Sequence, residues 1–411
     1  MEKILEQYGR VTVYMESNHP SPMYHVDGGV EPNPYGNLAV LLEDDNLEEV
    51  MYNGGAQCVK VAHRDHGMCR TNVWVDDQQG LEIAKNIAAF TSVPLGDGPG
   101  MVPIFDGRLP DGSRVNGTIP PVSPDGPTLT IRKFREDPLT MIDLIKFGTV
   151  NVRLAAMMWV WIEGLDSRPA NFVIAGGTGS GKTTTLNCLG MYIPWHKRLL
   201  TVEDTAELQV YHDHWLRMET RRERPDGTPE VDMNDCLKSS LRMRPDRIIV
   251  GEVRSSEAAT LLTAMNTGHD GSFGSLHANT AMETITRMIN PPMNVPPIML
   301  TGLDLIIIQA RLYIDGKTAR KITEVAEVAG MEGDKPRLNA IWKFNAATGQ
   351  IEETGIPSKM RETICTAAGI TPAQFEQHIK QREQILADLL NRDIRDIETV
   401  TKVIQGFYAT R

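Results

Sequence analysis

Phe172-Val-Ile-Ala-Gly-Gly-Thr-Gly-Ser-Gly-Lys-Thr-Thr-Thr-Leu186 decides how this chain folds. Phe172 to Ala175 is an apolar run of the kind that forms a strand buried on both faces, and the residues after Lys182 read as a helix start. Between them Gly176, Gly181, Lys182 and Thr183 fit G-x-x-x-x-G-K-[ST] in the strand–loop–helix context that a phosphate-binding loop requires. Glycines let successive backbone N–H groups curl inward around a phosphate, and the helix N-terminus adds partial positive charge. This assigns Gly177, Thr178, Gly179, Ser180, Gly181, Lys182, Thr183 and Thr184 to nucleotide binding. Lys182 reaches the β/γ-phosphates and the Thr183 hydroxyl serves Mg²⁺, so the expected ligands are ATP and Mg.

Two further apolar stretches, Leu199–Val202 and Arg247–Val250, follow with helical segments between them. That order predicts an α/β fold with a mostly parallel, doubly wound sheet whose ligands sit at the C-terminal ends of the strands. Arg247-Ile-Ile-Val-Gly-Glu252 ends in an acid suited to Mg²⁺ or the attacking water. Leu200-Thr-Val-Glu203-Asp204-Thr-Ala-Glu207 brings Glu203 to another strand end, while Glu207 reads equally well as a helix-start acid. Paired carboxylates beside a nucleotide can orient water and accept its proton. Gly268-His269-Asp-Gly-Ser-Phe-Gly-Ser275-Leu-His277-Ala-Asn279 reads as a Gly/Ser-rich loop, with His277 placed to contact the γ-phosphate.

The 411 residues leave room for two or three domains, and the composition, 41% hydrophobic and 23% charged, is globular. A net charge of −11 argues against sequence-independent nucleic-acid binding, which needs phosphate neutralisation. Five scattered cysteines suit a reducing cytosol. No signal peptide precedes Tyr8, and no apolar run approaches the ~20 residues of a spanning helix, so a cytoplasmic protein, peripheral at the membrane's inner face, is expected.

In chain order, Val11–Met15 reads as a strand, Leu38–Leu42 as a strand or short helix, and Asp44–Met51 as a helix start with acids in its first turn. Cys58–Ala62 with Arg70–Val75, and Phe105–Arg108 with Arg114–Ile119, read as hairpins; Leu81–Phe90 reads as an amphipathic helix and Thr128–Phe134 as a strand. Residues 1–134 are thus a smaller α+β N-terminal domain. Residues 135–168 form a helical linker, with helices from Asp137-Pro138 to Gly148 and over Val152–Gly164, whose Met/Trp stripe is read as core packing. Residues 169–411 form the P-loop domain, with a helical region over about 358–408 opened by the capping box Thr371-Pro-Ala-Gln374 and expected to pack on that domain.

The four motifs in this order resemble the type II/type IV secretion superfamily of ATPases. Leu241-Arg-Met-Arg-Pro-Asp-Arg-Ile-Ile-Val-Gly-Glu-Val-Arg254, Ala264-Met-Asn-Thr-Gly-His-Asp-Gly271, Arg108-Leu-Pro-Asp-Gly-Ser-Arg114 and Leu129-Thr-Ile-Arg-Lys-Phe134 are similar to its Tad-pilus and archaeal branch. The resemblance covers about residues 38–408, without the extended first domain or tetracysteine zinc insert of some relatives. It implies a RecA-like P-loop fold, a homo-hexameric ring, a membrane-embedded platform protein as partner, and ATP hydrolysis that powers assembly, or retraction, of a type IV-like pilus, archaellum or secretion machine; from the acidic balance, no direct nucleic-acid partner is expected. It further implies arginines supplied by a neighbouring subunit. The candidates are Arg108, Arg114 and Arg132 in the N-terminal domain, and Arg221, Arg242 and Arg244 before the Glu252 strand. Arg108, Arg114, Arg242 and Arg244 are carried forward as catalytic candidates and Arg132 as a nucleotide contact, while Phe134 is either an adenine platform or core.

Competing readings remain at this level. A nucleic-acid translocase on the same core is opposed by the acidic balance, a non-hydrolysing scaffold by the intact carboxylates, and an ABC subunit by the lack of an LSGGQ-like signature. Cys58, His63, His66 and Cys69 have an unfamiliar zinc spacing, and a hairpin would scatter them over two faces. His212-Asp213-His214 reads as a solvent loop, and Arg217–Arg224, which includes Glu219 and Glu223, as a solvated or intersubunit loop.

Overall fold

The computed structural model describes residues 3–28, 33–55, 57–91, 93–134, 137–223, 227–314, 317–333 and 335–409. They fall into two compact units, one within Met1–Glu136 and Arg224–Thr228 and the other within Asp137–Glu223 and Pro229–Arg411.

The first unit is built on nine strands: β1 (Lys3–Tyr8), β2 (Val11–Met15), β3 (Met23–Val26), β4 (Leu47–Tyr52), β5 (Cys58–His63), β6 (Gly67–Trp74), β7 (Ile104–Arg108), β8 (Arg114–Thr118) and β9 (Thr128–Arg132). Their order is β1-β2-β3-β6-β5-β4-β9-β8-β7, antiparallel throughout except for the β3–β6 pair. Alternate residues such as Val59 and Val61, Val115, and Leu129 and Ile131 enter the core with Ile83, Ala84 and Ile87 of the helix Asp77–Phe90. Both expected hairpins form. The helix begins before Leu81 because the Asp76 carboxylate accepts the Gln79 N–H at 2.8 Å, completing a capping box. Leu38–Leu42 resolves as helical, with a short helix over Ala39–Leu42.

Asp44–Met51 is a correction: it starts no helix. The Asp44 carboxylate accepts the Asn46 N–H at 2.9 Å in a turn, and also the hydroxyls of Tyr8 and Tyr24 at 2.7 and 2.6 Å. The chain then runs as β4, central in the sheet, with Leu47, Val50 and Tyr52 buried. Cross-strand burial outweighed the capping signal.

The second unit holds β10 (Phe172–Ala175), β11 (Leu199–Glu203), β12 (Trp215–Glu219), β13 (Arg247–Val253), β14 (Phe273–Leu276), β15 (Leu305–Ile314), β16 (Lys317–Glu332), β17 (Lys335–Asn345) and β18 (Gln350–Glu353). The order is β12-β11-β13-β14-β10-β15-β16-β17-β18. The six strands from β12 to β15 are parallel, and β15 to β18 continue as an antiparallel meander. The expected α/β, mostly parallel core is present. The antiparallel extension was not anticipated, because the facing ends of β15 and β16, residues 311–314 and 318–321, are exposed or half-buried and carry a weak apolar signal.

Alternation along the parallel strands divides the core. Phe172, Ile174, Leu199, Ile249, Phe273 and Ile307 face one set of helices, among them Val152–Glu163, Lys182–Gly190 and Pro372–Asn391. Val173, Ala175, Val202, Ile248, Val250 and Ile308 face the other, Met233–Ser240, Glu257–Asn266 and Ala281–Ile289.

Trp159 and Trp161 of the Met/Trp stripe are buried as expected; Trp159 stacks on Tyr192 with ring centroids 5.1 Å apart. The C-terminal helices pack on this unit through Phe375, Ile379, Leu386, Val400 and Ile404. Arg382 there forms a wholly buried ion pair with Glu163. The Asp137-Pro138 helix is a second correction. It begins only at Met141, because the Thr140 N–H finds the Asp143 carboxylate at 2.9 Å and caps the chain three residues later.

Candidate active site

The phosphate loop leaves β10 at Ala175 and enters the helix Lys182–Gly190. Gly179 and Gly181 take φ values of +71° and +94°, which side-chain-bearing residues rarely adopt. Gly176 is required by contact: a Cβ there would lie 2.1 Å from the Gln309 carbonyl oxygen and 2.6 Å from Ser180 Oγ. The Ser180 hydroxyl donates to the Gly177 carbonyl at 2.8 Å. Lys182 is buried and donates to the Gly176 and Gly177 carbonyls at 2.9 and 3.2 Å. Burial lowers its pKa, against the attraction of Glu252. Thr183 and Thr184 stand half-buried in the first turn.

β14 lies between the loop strand β10 and β13, and acids collect beyond it. His277 Nε2, just past the end of β14, lies 3.0 Å from Glu252 Oε1 without hydrogen-bond alignment. Arg254 donates to Glu252 Oε2 at 2.7 Å and to Asp204 Oδ2 at 3.0 Å. Burial raises the Glu252 pKa, but Arg254, His277 and Lys182 outweigh it and hold the carboxyl below its usual value. Burial and Lys182 lower the His277 pKa, against Glu252.

Glu203 ends β11, and its side chain lies over Gly251, where a Cβ would come within 2.9 Å of Glu203 Cγ. Its Oε1 accepts the Glu207 and Leu208 N–H groups at 2.9 and 3.0 Å. Its Oε2 is buried without a partner among the described residues. Burial pushes its pKa up to about 7, despite those two hydrogen bonds.

Other expectations fare differently. The two histidines do not share a loop: Phe273–Leu276 forms β14, leaving His269 before the strand and His277 after it. No helix begins at Glu207. Arg242 and Arg244 precede β13, at the opposite end of that strand from Glu252, so the fold does not bring them to the carboxylates of their own chain. Arg221 pairs with Val231 in the loop past β12, Arg217 lies within β12 with its guanidinium over Trp215, and Arg224 lies outside the described residues.

Arg108, Arg114 and Arg132 occupy one cross-strand row of β7, β8 and β9. Directly opposed residues share a face, so three guanidinium groups line one face of that sheet. Phe134 packs on Gly112 beneath Arg108, whose guanidinium carbon is 5.8 Å from the ring centroid. The cysteines do not join a zinc site: Cys58 and Cys69 lie apart on β5 and β6, while Glu6, not a cysteine, completes a cluster with His63 and His66. His63 Nδ1 accepts two backbone N–H groups, which puts its proton on Nε2 facing the Tyr8 oxygen at 3.2 Å and leaves no lone pair for a metal there.

Sequence reasoning passed over Arg254, although it lies two residues past Glu252. It also passed over Arg287, which with Pro291, Pro292 and Met293 lines a pocket that includes Glu252, Arg254 and His277.

Comparison with known proteins matches residues 99–402 to the family described as type II/IV secretion system protein. The chain belongs to that family. With its phosphate loop and its order of strands it is an ATPase of the type II/IV secretion group, and it binds a nucleotide. An uncharacterized protein of Methanocaldococcus jannaschii is 32% identical over 545 aligned positions, covering 90% of this chain and 75% of that one. The conjugal transfer protein TrbB of Rhizobium radiobacter is 36% identical over 255 residues, covering 61% of this chain and 74% of TrbB. Among solved structures, the Legionella pneumophila ATPase DotB aligns over 92% of this chain and 98% of its own with a TM-score of 0.50 and 17% identity, a likeness of fold. Members of the secretion family thus share with this chain a RecA-like P-loop unit and a preceding N-terminal domain. No helix among the described residues is long and apolar enough to cross a membrane.

Proposed function

We propose that this secretion-family ATPase is a motor that works as a homo-hexameric ring on a membrane-embedded platform protein, at the cytoplasmic face, and drives assembly or retraction of a type IV-like pilus or archaellum filament. In this reading residues 1–134 are an N-terminal domain, 135–168 a helical linker and 169–411 the motor domain. Gly177 to Thr184 hold the polyphosphate, with Lys182 turning from the loop carbonyls to the β/γ-phosphates.

Two buried carboxylate oxygens without hydrogen-bond partners, Glu203 Oε2 and Glu252 Oε1, suit a hard divalent cation, which takes oxygen ligands. Thr183 and Glu252 would hold Mg²⁺, which when bound neutralises charge on the phosphates. Glu203 orients water and accepts its proton, and His277 senses the γ-phosphate. Arg108, Arg114 and Arg132, and Arg242 and Arg244, serve the nucleotide of a neighbouring subunit. The alignment of three guanidinium groups on one face of β7–β9 supports that reading, because arginine forks match phosphate geometry.

The observation that carries the motor chemistry is the convergence of Glu203, Glu252 and His277, from three different strand ends, beside the phosphate loop. Steady-state hydrolysis by Glu252→Gln tests it. The expected loss is on the order of 100-fold or more with nucleotide binding retained; turnover near wild type removes Glu252 from the chemistry.

A further inference from the structure

On the side of the phosphate loop away from Glu252, β15 and β16 form its outer wall. The wall is tied to the loop and its helix: Thr185 Oγ1 donates to Gln309 Oε1 at 2.8 Å, and the Gln309 carbonyl presses on Gly176. Two residues further along β15, Arg311 pairs directly with Arg320 of β16. Directly opposed residues of an antiparallel pair project to the same face, and like charges so placed repel.

Each arginine approaches the loop. Arg320 Nε donates to the Gly179 carbonyl at 3.1 Å, and its Cδ lies 3.3 Å from where a Gly181 Cβ would be. Arg311 Nη1 lies 3.4 Å from where a Gly179 Cβ would be. Neither arginine has a carboxylate within 4.0 Å among the described residues. Both side chains are exposed to solvent.

We infer that Arg311 and Arg320 are nucleotide-binding residues that hold the diphosphate end of the ligand, its α- and β-phosphates, from the side opposite Glu252. Arg320 has a second role as a positioning residue. By fixing the Gly179 carbonyl outward, it sets the turn from which the loop's N–H groups face the phosphate. An anion between the two guanidinium groups relieves their repulsion, and arginine forks match phosphate geometry. This inference rests on the ATPase reading of the loop, and it adds residues that the phosphate-loop motif does not contain.

The test is the affinity of the full-length protein for fluorescent ADP and ATP, measured with Arg311→Gln, Arg320→Ala and Arg320→Lys. Arg311→Gln and Arg320→Ala are expected to weaken ADP and ATP by the same factor, about 10-fold each, consistent with loss of one charge-assisted contact. The salt dependence of binding becomes shallower, and in steady state KM rises more than kcat falls. A merely structural wall would not change the salt dependence. Arg320→Lys, which keeps the charge and loses the fork, recovers part of the affinity and the steeper salt dependence.

Unchanged ADP affinity in Arg311→Gln, whose side chain is exposed and whose loss leaves the fold intact, overturns the assignment. A loss confined to ATP also overturns it, because it would move the contact to the γ-phosphate. Absence of nucleotide binding by the wild-type protein is a separate result that overturns the ATPase reading itself.

Discussion

Glu203→Gln separates stability from catalysis in a way the buried carboxyl dictates. The folded protein holds this group at a pKa of about 7 against an ordinary 4.5. Because the folded value is the higher one, the folded state binds the proton more tightly. Stability therefore falls as pH rises from about 4.5 to about 7 and is flat above, the reverse of a salt-bridged carboxylate. At 1.36 kcal/mol per unit, the shift corresponds to roughly 3 kcal/mol at alkaline pH.

Glutamine removes that term. Its carbonyl oxygen can still accept the Glu207 and Leu208 N–H groups, while its amide nitrogen inherits the unpartnered Oε2 position, which offsets about 1 kcal/mol. The net gain at pH 8 is about 2 kcal/mol, or a rise of roughly 5 °C in Tm for a unit of this size. At pH 5 the gain nearly vanishes. Nucleotide-free thermal melts at both pH values read this directly, and the same variant loses hydrolysis by on the order of 100-fold as a proton acceptor is removed. A melting difference that is equal at pH 5 and pH 8, or a variant less stable at pH 8, refutes the burial argument.

Three other outcomes follow from the same packing. In the wild type, kcat/KM for ATP rises with pH through about 7 as Glu203 ionises, and a steady-state pH profile should show that limb and lose it in Glu203→Gln. Arg382→Ala strands the Glu163 carboxylate inside the helical layer and costs about 3–5 kcal/mol in urea unfolding, whereas Arg382→Met combined with Glu163→Leu recovers most of it. Gly176→Ala forces a methyl to within 2.1 Å of the Gln309 carbonyl, so ADP binding by titration calorimetry weakens at least about 30-fold, ~2 kcal/mol, while the far-UV spectrum is kept.

Three strands of the parallel core were readable because each is a short apolar run with polar punctuation, at Phe172–Ala175, Leu199–Val202 and Arg247–Val250, whereas the short β14, Phe-Gly-Ser-Leu, was hidden in a Gly/Ser-rich stretch. Lys182, Glu203 and Glu252 were singled out because each sits at or just past such a run, and His277 because it lies in that Gly/Ser-rich stretch. The Asp44–Met51 segment was misread because its acids serve a turn and two tyrosine hydroxyls, a use that depends on β1 and β3 far away in the chain. Arg311 and Arg320 were invisible for a similar reason: nine residues apart, they meet only through the register of a hairpin whose sequence carries no strong period. Arg217–Arg224 was read as a loop, yet its first residues, Arg217 to Glu219, belong to the edge strand β12 (Trp215–Glu219), where charged side chains are tolerated on the solvent side.

β14 lies between the strand that feeds the phosphate loop and the strand that ends at Glu252. Neighbouring strands are spaced by about 4.8 Å, so the backbones of β10 and β13 stand roughly 10 Å apart, and the side chains of Lys182 and Glu252 face each other across the end of β14. In the proposed function that gap is where the terminal phosphoryl group of a triphosphate held at Lys182 would come to lie. On that reading the width of a single interposed strand sets how long a ligand must be to span from the loop to the acid on the far side.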